Sequence, residues 1–333
     1  MPISWNEVNE NANGGTENMA RRLDKEFTTE ELEHVQIIPS RPRELDPDRH
    51  RIFWCHDLPQ DPESKTAFEN NGWSRFEKII FVSHWQKDQY ITAYNIPYEK
   101  CMVLQNAIDP LPDKIEKNFQ KIRLIYHTTP HRGLDVAYYA IDRLTKDHPD
   151  IEFNVYSSFK IYGWDQRDNE FSDLYKAIAD HPNMNYHGTV SNKDVRKAVE
   201  QAHIFAYPST WPETSCISLM EAMSGKCLCV HSDLAALPET SANWTYMYPF
   251  NEDKRAHVEV FASCLHQGIV ELTKGSQSIE SRLLSQKSYA DLFYNWELRK
   301  VHWAQVLESL KSLDVRPIIE TEEFEVGEFV YNV

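Results

Sequence analysis

The feature that most constrains the fold is a series of short, unbroken apolar runs with helical stretches between many of them. They are VQII (35–38), RIFWC (51–55), KIIFV (78–82), CMVL (101–104), IRLIY (122–126), IEFNVY (151–156), HIFAY (203–207) and CLCV (227–230). A strand with one wet face alternates apolar and polar residues, whereas a strand covered on both faces does not. Continuous runs therefore predict parallel strands sandwiched between helices, a doubly wound α/β architecture. A chain of 333 residues, 41% of them apolar, exceeds what one core usually serves, which predicts two domains.

The segment NAIDPLPDKIEKNFQ (106–120) separates the fourth run from the fifth, and its prolines and charges interrupt any period. Read as a linker, it sets a first domain at 1–112 and a second at 119–285. After about residue 253 the strand pattern stops, and Trp296 and Trp303 stand seven apart on one helical face. Helices over 286–313 are expected to cross back over both domains. The tail 314–333, ending IIETEEFEVGEFVYNV, is acidic and aromatic and fits neither domain.

The 35 basic and 51 acidic residues give a net charge of −16, which argues against nucleic acid as a partner. No apolar stretch approaches the roughly 20 residues that span a bilayer. The start, MPISWNEVNENANGG, lacks the basic and apolar parts of a signal peptide, so a soluble, cytoplasmic protein is expected. Six cysteines (Cys55, Cys101, Cys216, Cys227, Cys229, Cys264) form no C-x-x-C pair and read as buried thiols. No G-x-S-x-G or G-x-x-x-x-G-K is present, so neither that hydrolase elbow nor P-loop chemistry has support.

In parallel sheets ligands bind beyond the carboxyl ends of the strands. RIFWC gives way there to His56-Asp57, IRLIY to HTTPHRG, IEFNVY to Ser157-Ser158 and HIFAY to PSTWPETS, a polar rim that suits a cleft. The stretch PETSCISLMEAMSGKCLCVHSD (212–233) adds Glu213 and Glu221 around a strand-to-helix junction. Two readings stand for Glu221. Ser218-x-x-Glu221 fits a capping box, which would make the carboxylate a helix-start device. If the helix instead begins near Thr214 or Ser215, Glu221 lies too deep to cap it, and Ile217, Met220 and Ser224 line the packed side. The first-turn amides of Thr214, Ser215, Cys216 and Ile217 could then hold phosphate, with a carboxylate on each side accepting hydroxyl hydrogen bonds.

PSTWPETSCISLMEAMSGKCLCVHSDLAALPE (208–239) resembles the donor-site motif of the retaining GT-B glycosyltransferases of family 4, glycosyl transferases group 1. That signature is Glu-x7-Glu followed by E-A-M-x-x-G. GGTE (14–17) resembles the family's N-terminal glycine loop, FVSHWQKDQY (81–90) its strand-to-helix entry, and VLQNAID (103–109) its N-G-I-D segment. RGLD (132–135) is similar to its K-G-x-D turn and NMNYHGTVSNKDV (183–195) to its G-x-v strand and helix, so the likeness runs over roughly residues 13 to 240.

The resemblance implies two Rossmann-like doubly wound domains facing a cleft, with C-terminal helices crossing back. It implies that Glu213 binds hydroxyls of the transferred sugar, Glu221 binds the ribose diol, and Arg132, at the family's lysine position, faces the diphosphate. Gly14 and Gly15 would let backbone approach the phosphates or the acceptor, His56 would stand near the reacting sugar, and Ser158, Gly188 and Val190 would surround the base. Two departures are visible. His127 replaces the family's arginine five residues before Arg132, and only MPISW precedes Asn6–Asn13 where the family has a full strand, so an abbreviated N-terminal domain is expected.

The implied reaction moves a hexosyl group from a UDP- or GDP-sugar to the hydroxyl of a glycan or other acceptor, with retention and with no cofactor beyond the donor. Asp46-x-Asp48 resembles the D-x-D metal site of the other glycosyltransferase fold, but it lies in the charged, proline-bearing loop RPRELDPDRH, and no metal is expected. The alternatives are a non-catalytic nucleotide-sugar-binding protein and a GT-B-fold nucleotide-sugar epimerase.

Overall fold

A computed structural model describes residues 3–4 and 14–318 of the chain. It divides into two compact units, one of residues up to Ala107 together with those from Trp296, the other Ile108–Asn295.

In the first unit the chain runs α1 (Gly15–Glu26), α2 (Thr29–Leu32), β1 (Val35–Pro39), β2 (His50–Cys55), α3 (Pro62–Phe68), β3 (Lys78–Phe81), α4 (His84–Tyr94) and β4 (Cys101–Val103). The strands pair in parallel in the order β1-β2-β3-β4, with Val35 opposite His50 and Ile52 opposite Lys78. Every residue of β1 and β2 is buried, the polar Gln36, His50 and Arg51 included. Arg51, which opens the run RIFWC, is tolerated there because Glu77 accepts from its Nη2 at 3.1 Å and from its backbone N–H at 2.6 Å. Ile3 forms a parallel bridge with Ile37, so part of MPISW lies beside β1.

The second unit contains β5 (Ile122–Tyr126), α5 (Leu134–Leu144), β6 (Ile151–Val155), α6 (Ser172–Asp180), β7 (Met184–Tyr186), α7 (Asn192–Gln201), β8 (Ile204–Tyr207), α8 (Ile217–Ser224), β9 (Leu228–Ser232), α9 (Leu237–Ser241), β10 (Tyr246–Tyr248), α10 (Lys254–Lys274) and α11 (Gln277–Phe293). All its strand pairs are parallel, in the order β10-β9-β8-β5-β6-β7. The chain winds outward one way from β5 and then, from β8, the other way. Between those two strands lies the topological switch point, where the loops beyond the carboxyl ends diverge and leave a crevice.

Residues 108–117 carry no regular element but are tied into the second unit. The Ile108 amide donates to Tyr294 at 2.6 Å, the Leu111 amide to Ser224 Oγ at 2.8 Å, and Lys117 Nζ to the Lys226 carbonyl at 3.1 Å. The last helix, α12 (Trp296–Leu310), belongs to the first unit, where Trp303 is fully buried with its ring 5.0 Å from that of Trp54. Among the described residues no helix is long and apolar enough to cross a membrane. All six cysteines are free, and Cys55, Cys216, Cys227 and Cys229 are buried. The expectation for the tail falls, from residue 319 on, outside the described residues.

Candidate functional site

The loop after β5, HTTPHRG, tightens into a 3-10 turn over Pro130–Arg132 and passes through Gly133 at φ +107. Only glycine fits there: a Cβ would sit 2.2 Å from the Pro208 carbonyl oxygen, besides the strained backbone. The turn thereby lies against the loop after β8, where the Thr210 amide donates to the Arg132 carbonyl at 3.3 Å and Thr210 Oγ1 to the His131 carbonyl at 3.2 Å. This close approach brings Arg132 Nη1 to 2.5 Å from Glu213 Oε1. The Tyr207 hydroxyl donates to the same oxygen. Burial opposes the guanidinium's charge, but the Glu213 carboxylate overrides it and holds Arg132 well above its ordinary range.

The α8 helix begins at Ile217 with Cys216 as its N-cap, later than the start near Thr214 or Ser215 considered from the sequence. Thr214, Ser215 and Cys216 lie in the loop leading in. The capping-box reading of Ser218 and Glu221 is also corrected, because Ser218 is already inside the helix and donates to the His127 carbonyl at 3.2 Å. Glu221 is a turn further on, buried, with Oε1 2.9 Å from Arg196 Nη1. Burial raises its pKa and the Arg196 charge pulls it back only in part. The first bond of the helix ladder runs from the Met220 amide to Cys216, so the amides ahead of it point out of the helix start. Burial pushes the Cys216 thiol well above its ordinary range.

Around these elements stand buried polar atoms without a hydrogen-bond partner among the described residues: His127 Nε2, His131 Nδ1, Ser157 Oγ and Ser215 Oγ. They follow β5, β6 and β8, and buried polar groups are otherwise nearly always satisfied. His127 packs its ring 5.0 Å from Phe205, and burial lowers its pKa to about 4, so it is neutral where the family pattern has a cation. His131 stacks on Phe159 at 5.1 Å and meets Trp211 edge-on at 5.0 Å, and burial with the Arg132 and Arg167 charges lowers it to about 3.

The other predicted positions separate. Ser158 is committed locally: its hydroxyl donates to Asp168 and accepts from the Lys160 amide at 3.0 Å, capping the turn over Phe159–Tyr162. Gly188 takes φ +63 after β7, and Val190 is half-buried just before α7. Gly14, Gly15 and His56 belong to the first unit. Gly14 caps α1 at φ −68, ψ 172, a conformation open to any residue. His56 follows β2, donates its amide to Ser40 Oγ at 3.2 Å and is lowered to about 3 by burial, while burial and Asp61 raise its neighbour Asp57 to about 6. Asp46 Oδ1 accepts the Asp48 amide at 2.9 Å in a turn, and no group of three metal-ligating side chains occurs among the described residues. Sequence reasoning missed Arg196 and Tyr207; the Ser191 cap and Asp194 mark the α7 start, but nothing local points Arg196 at Glu221.

Residues 112–274 match the family described as glycosyl transferases group 1. One human subunit of phosphatidylinositol N-acetylglucosaminyltransferase is 26% identical over 165 residues, 48% of this chain and 33% of that protein. The gpi3 subunit of the corresponding transferase of Schizosaccharomyces pombe is 22% identical over 166 residues, 48% of this chain and 35% of that protein. The chain spans about a third of the length of these curated relatives. Among solved structures, a glycosyltransferase from Rickettsia africae superposes with TM-score 0.63 at 15% identity, covering 92% of this chain and 85% of that one. Anabaena HepE in complex with UDP-glucose gives 0.61 at 15% identity, covering 79% and 73%. The pneumococcal O-GlcNAc transferase GtfA with UDP and GlcNAc gives 0.60 at 16%, covering 82% and 56%. The likeness establishes the fold, two parallel-sheet domains of the GT-B type.

Proposed function

Since residues 112–274 match the glycosyl transferases group 1 family, we propose that the protein transfers a hexosyl group from a nucleoside-diphosphate sugar to an acceptor hydroxyl, with retention and without a metal. The observation that carries this reading is the joining of Arg132 and Glu213 across the switch point, ahead of the open start of α8 and with Glu221 one turn into that helix. The donor's diphosphate would lie on the α8 amides and Arg132, its sugar on Glu213 and its ribose on Glu221. The unpartnered Ser215 Oγ and His131 Nδ1 are groups such a ligand could satisfy. HepE was solved with UDP-glucose and GtfA with UDP, which favours a UDP-sugar over a GDP-sugar. His56, Gly14 and Gly15 are assigned to the acceptor side, and Ser158, Gly188 and Val190 to the surroundings of the base.

As the bond between the anomeric carbon and the diphosphate breaks, negative charge grows on the leaving oxygen. Preset amides and an ionised Arg132 stabilise that charge more than the ground state. The acceptor oxygen bonds the anomeric carbon on the face the diphosphate leaves, and its proton passes to a phosphate oxygen. Tying Arg132 to Glu213 fixes the phosphate and sugar contacts relative to each other before the donor arrives.

Incubation with UDP- and GDP-hexoses in the absence of acceptor tests the reading. Slow release of free sugar and nucleotide is expected, together with a rise in melting temperature on adding donor. Glu213→Ala should abolish turnover and leave UDP affinity within a few-fold of the unmodified protein; equal loss of both would remove Glu213 from the sugar site. The neutral, buried His127 favours a second reading, donor binding without transfer, since it withholds a cation from the diphosphate. Donor-induced stabilisation with no turnover under any acceptor would select that reading, and recovery of an altered sugar would select the epimerase.

A further inference from the structure

Glu213 is buried, and both of its identified side-chain donors converge on one oxygen. Arg132 Nη1 reaches Oε1 from the loop after β5, and the hydroxyl of Tyr207, the last residue of β8, donates to it from the sheet. Among the described residues no hydrogen bond is made to Oε2. Tyr207 is fully buried, so its hydroxyl serves the protein interior and not a ligand. Ser209 Oγ stands 3.3 Å from that hydroxyl and 2.9 Å from the Trp211 carbonyl, which leaves the tyrosine proton directed at Glu213.

We propose that Tyr207 is a positioning residue for Glu213: its hydroxyl fixes Oε1, so that Oε2 is presented to the sugar hydroxyls of the donor. The inference rests on the assignment of Glu213 to the sugar. A phenol donating to a buried carboxylate stabilises the charged form, restrains rotation of the group and lowers the cost of presenting it. Burial and the Glu213 charge push the Tyr207 phenol well above its ordinary range, so it stays protonated as a donor. Its neighbour supplies an internal control. Tyr126 ends β5 with its ring 5.9 Å from that of Tyr207, is equally buried, and donates to the Thr129 carbonyl at 2.9 Å, not to the carboxylate.

The experiment follows the Glu213 side-chain carboxyl carbon by NMR in the full chain, its resonance assigned by its loss in Glu213→Gln. Tyr207→Phe should move the Glu213 titration upward by about one pH unit, a roughly tenfold change in its protonation equilibrium, while Tyr126→Phe leaves it in place. Replacing Tyr207 with 3-fluorotyrosine, which keeps the ring and strengthens the donor, should move it downward, and this arm stands even where the phenylalanine variant does not fold. In turnover, Tyr207→Phe should lower kcat about tenfold and shift the acid limb of the pH profile upward with the donor KM little changed. An unmoved Glu213 titration in the Tyr207 variants, or an equal shift in Tyr126→Phe, overturns the proposal. Failure of UDP-sugars to bind the unmodified protein would strike the donor reading instead, and the titration would still decide whether Tyr207 holds Glu213.

Discussion

Glu213 and Glu221 are both buried carboxylates beside an arginine, yet their surroundings set them apart. Among the described residues Glu213 has two side-chain donors on one oxygen, whereas Glu221 has Arg196 alone and is raised by burial. Glu221→Gln keeps an acceptor toward Arg196 and removes the charge, so the fold should survive while UDP affinity falls about tenfold, the worth of one hydrogen bond to a charged group. In the unmodified protein UDP affinity should weaken as pH falls through the raised Glu221 pKa, because the protonated acid loses acceptor capacity. Calorimetric titration of UDP against pH checks both, and a flat profile with an unaffected glutamine variant would take the ribose away from Glu221. The two glutamates were legible because they share one short local segment. Arg196 and Tyr207 were not, since each reaches its carboxylate from a separate element and no spacing in the sequence records the meeting.

At the scale of elements, the eight apolar runs each became a strand, and the trace is plainest in β1, β2, β8 and β9, which are buried throughout, whereas β4 is only half-buried. The three-residue β10 did not announce itself: only Tyr248 of its residues is buried. The α8 helix was legible in its existence and not in its start, since PETSC offers several capping residues and the structure uses Cys216, with no side-chain cap bond. Its far end departs from the family signature for a physical reason. The chain reads E-A-M-S-G-K, placing Gly225 one residue early, where a Cβ would lie 2.5 Å from Val199 Cγ1 on the neighbouring helix. Lys226 consequently occupies the signature's glycine position and takes φ +53, with the Cys227 amide closing onto Ala222 at 3.0 Å. Lys226→Gly should relieve that left-handed strain and stabilise the second unit by about 1 kcal/mol. A raised urea midpoint at unchanged slope would show it; a lowered midpoint would mean that contacts of the lysine side chain outweigh the strain.

For the whole molecule, acid sensitivity and the division of labour between the units are linked. His127, His203 and His231 are buried in the second unit, each lowered by burial to about 4 from an ordinary value near 6.5. Between those values the unfolded chain binds more protons than the folded one, so stability falls as pH drops through this window, by about 1.4 kcal/mol per histidine for each pH unit crossed. The raised carboxyls Glu221 and Asp57 act in the opposite sense, which blunts the loss without reversing it. Thermal melts from pH 7 to pH 4 should show a falling midpoint. The same unit carries Arg132, Glu213, Glu221 and the α8 start, and its sheet is complete within Ile108–Asn295. Its two ends are bonded together, Ile108 to Tyr294, while α12 and its Trp303–Trp54 contact belong to the other unit. A fragment of residues 108–295 is therefore expected to fold alone, to bind UDP within a few-fold of the full chain and to show the same acid-induced fall in midpoint. It should transfer no sugar, since it lacks the first unit, to which the proposed function assigns the acceptor. A folded fragment blind to UDP would move the nucleotide contacts to the first unit and undo the donor assignment at its base.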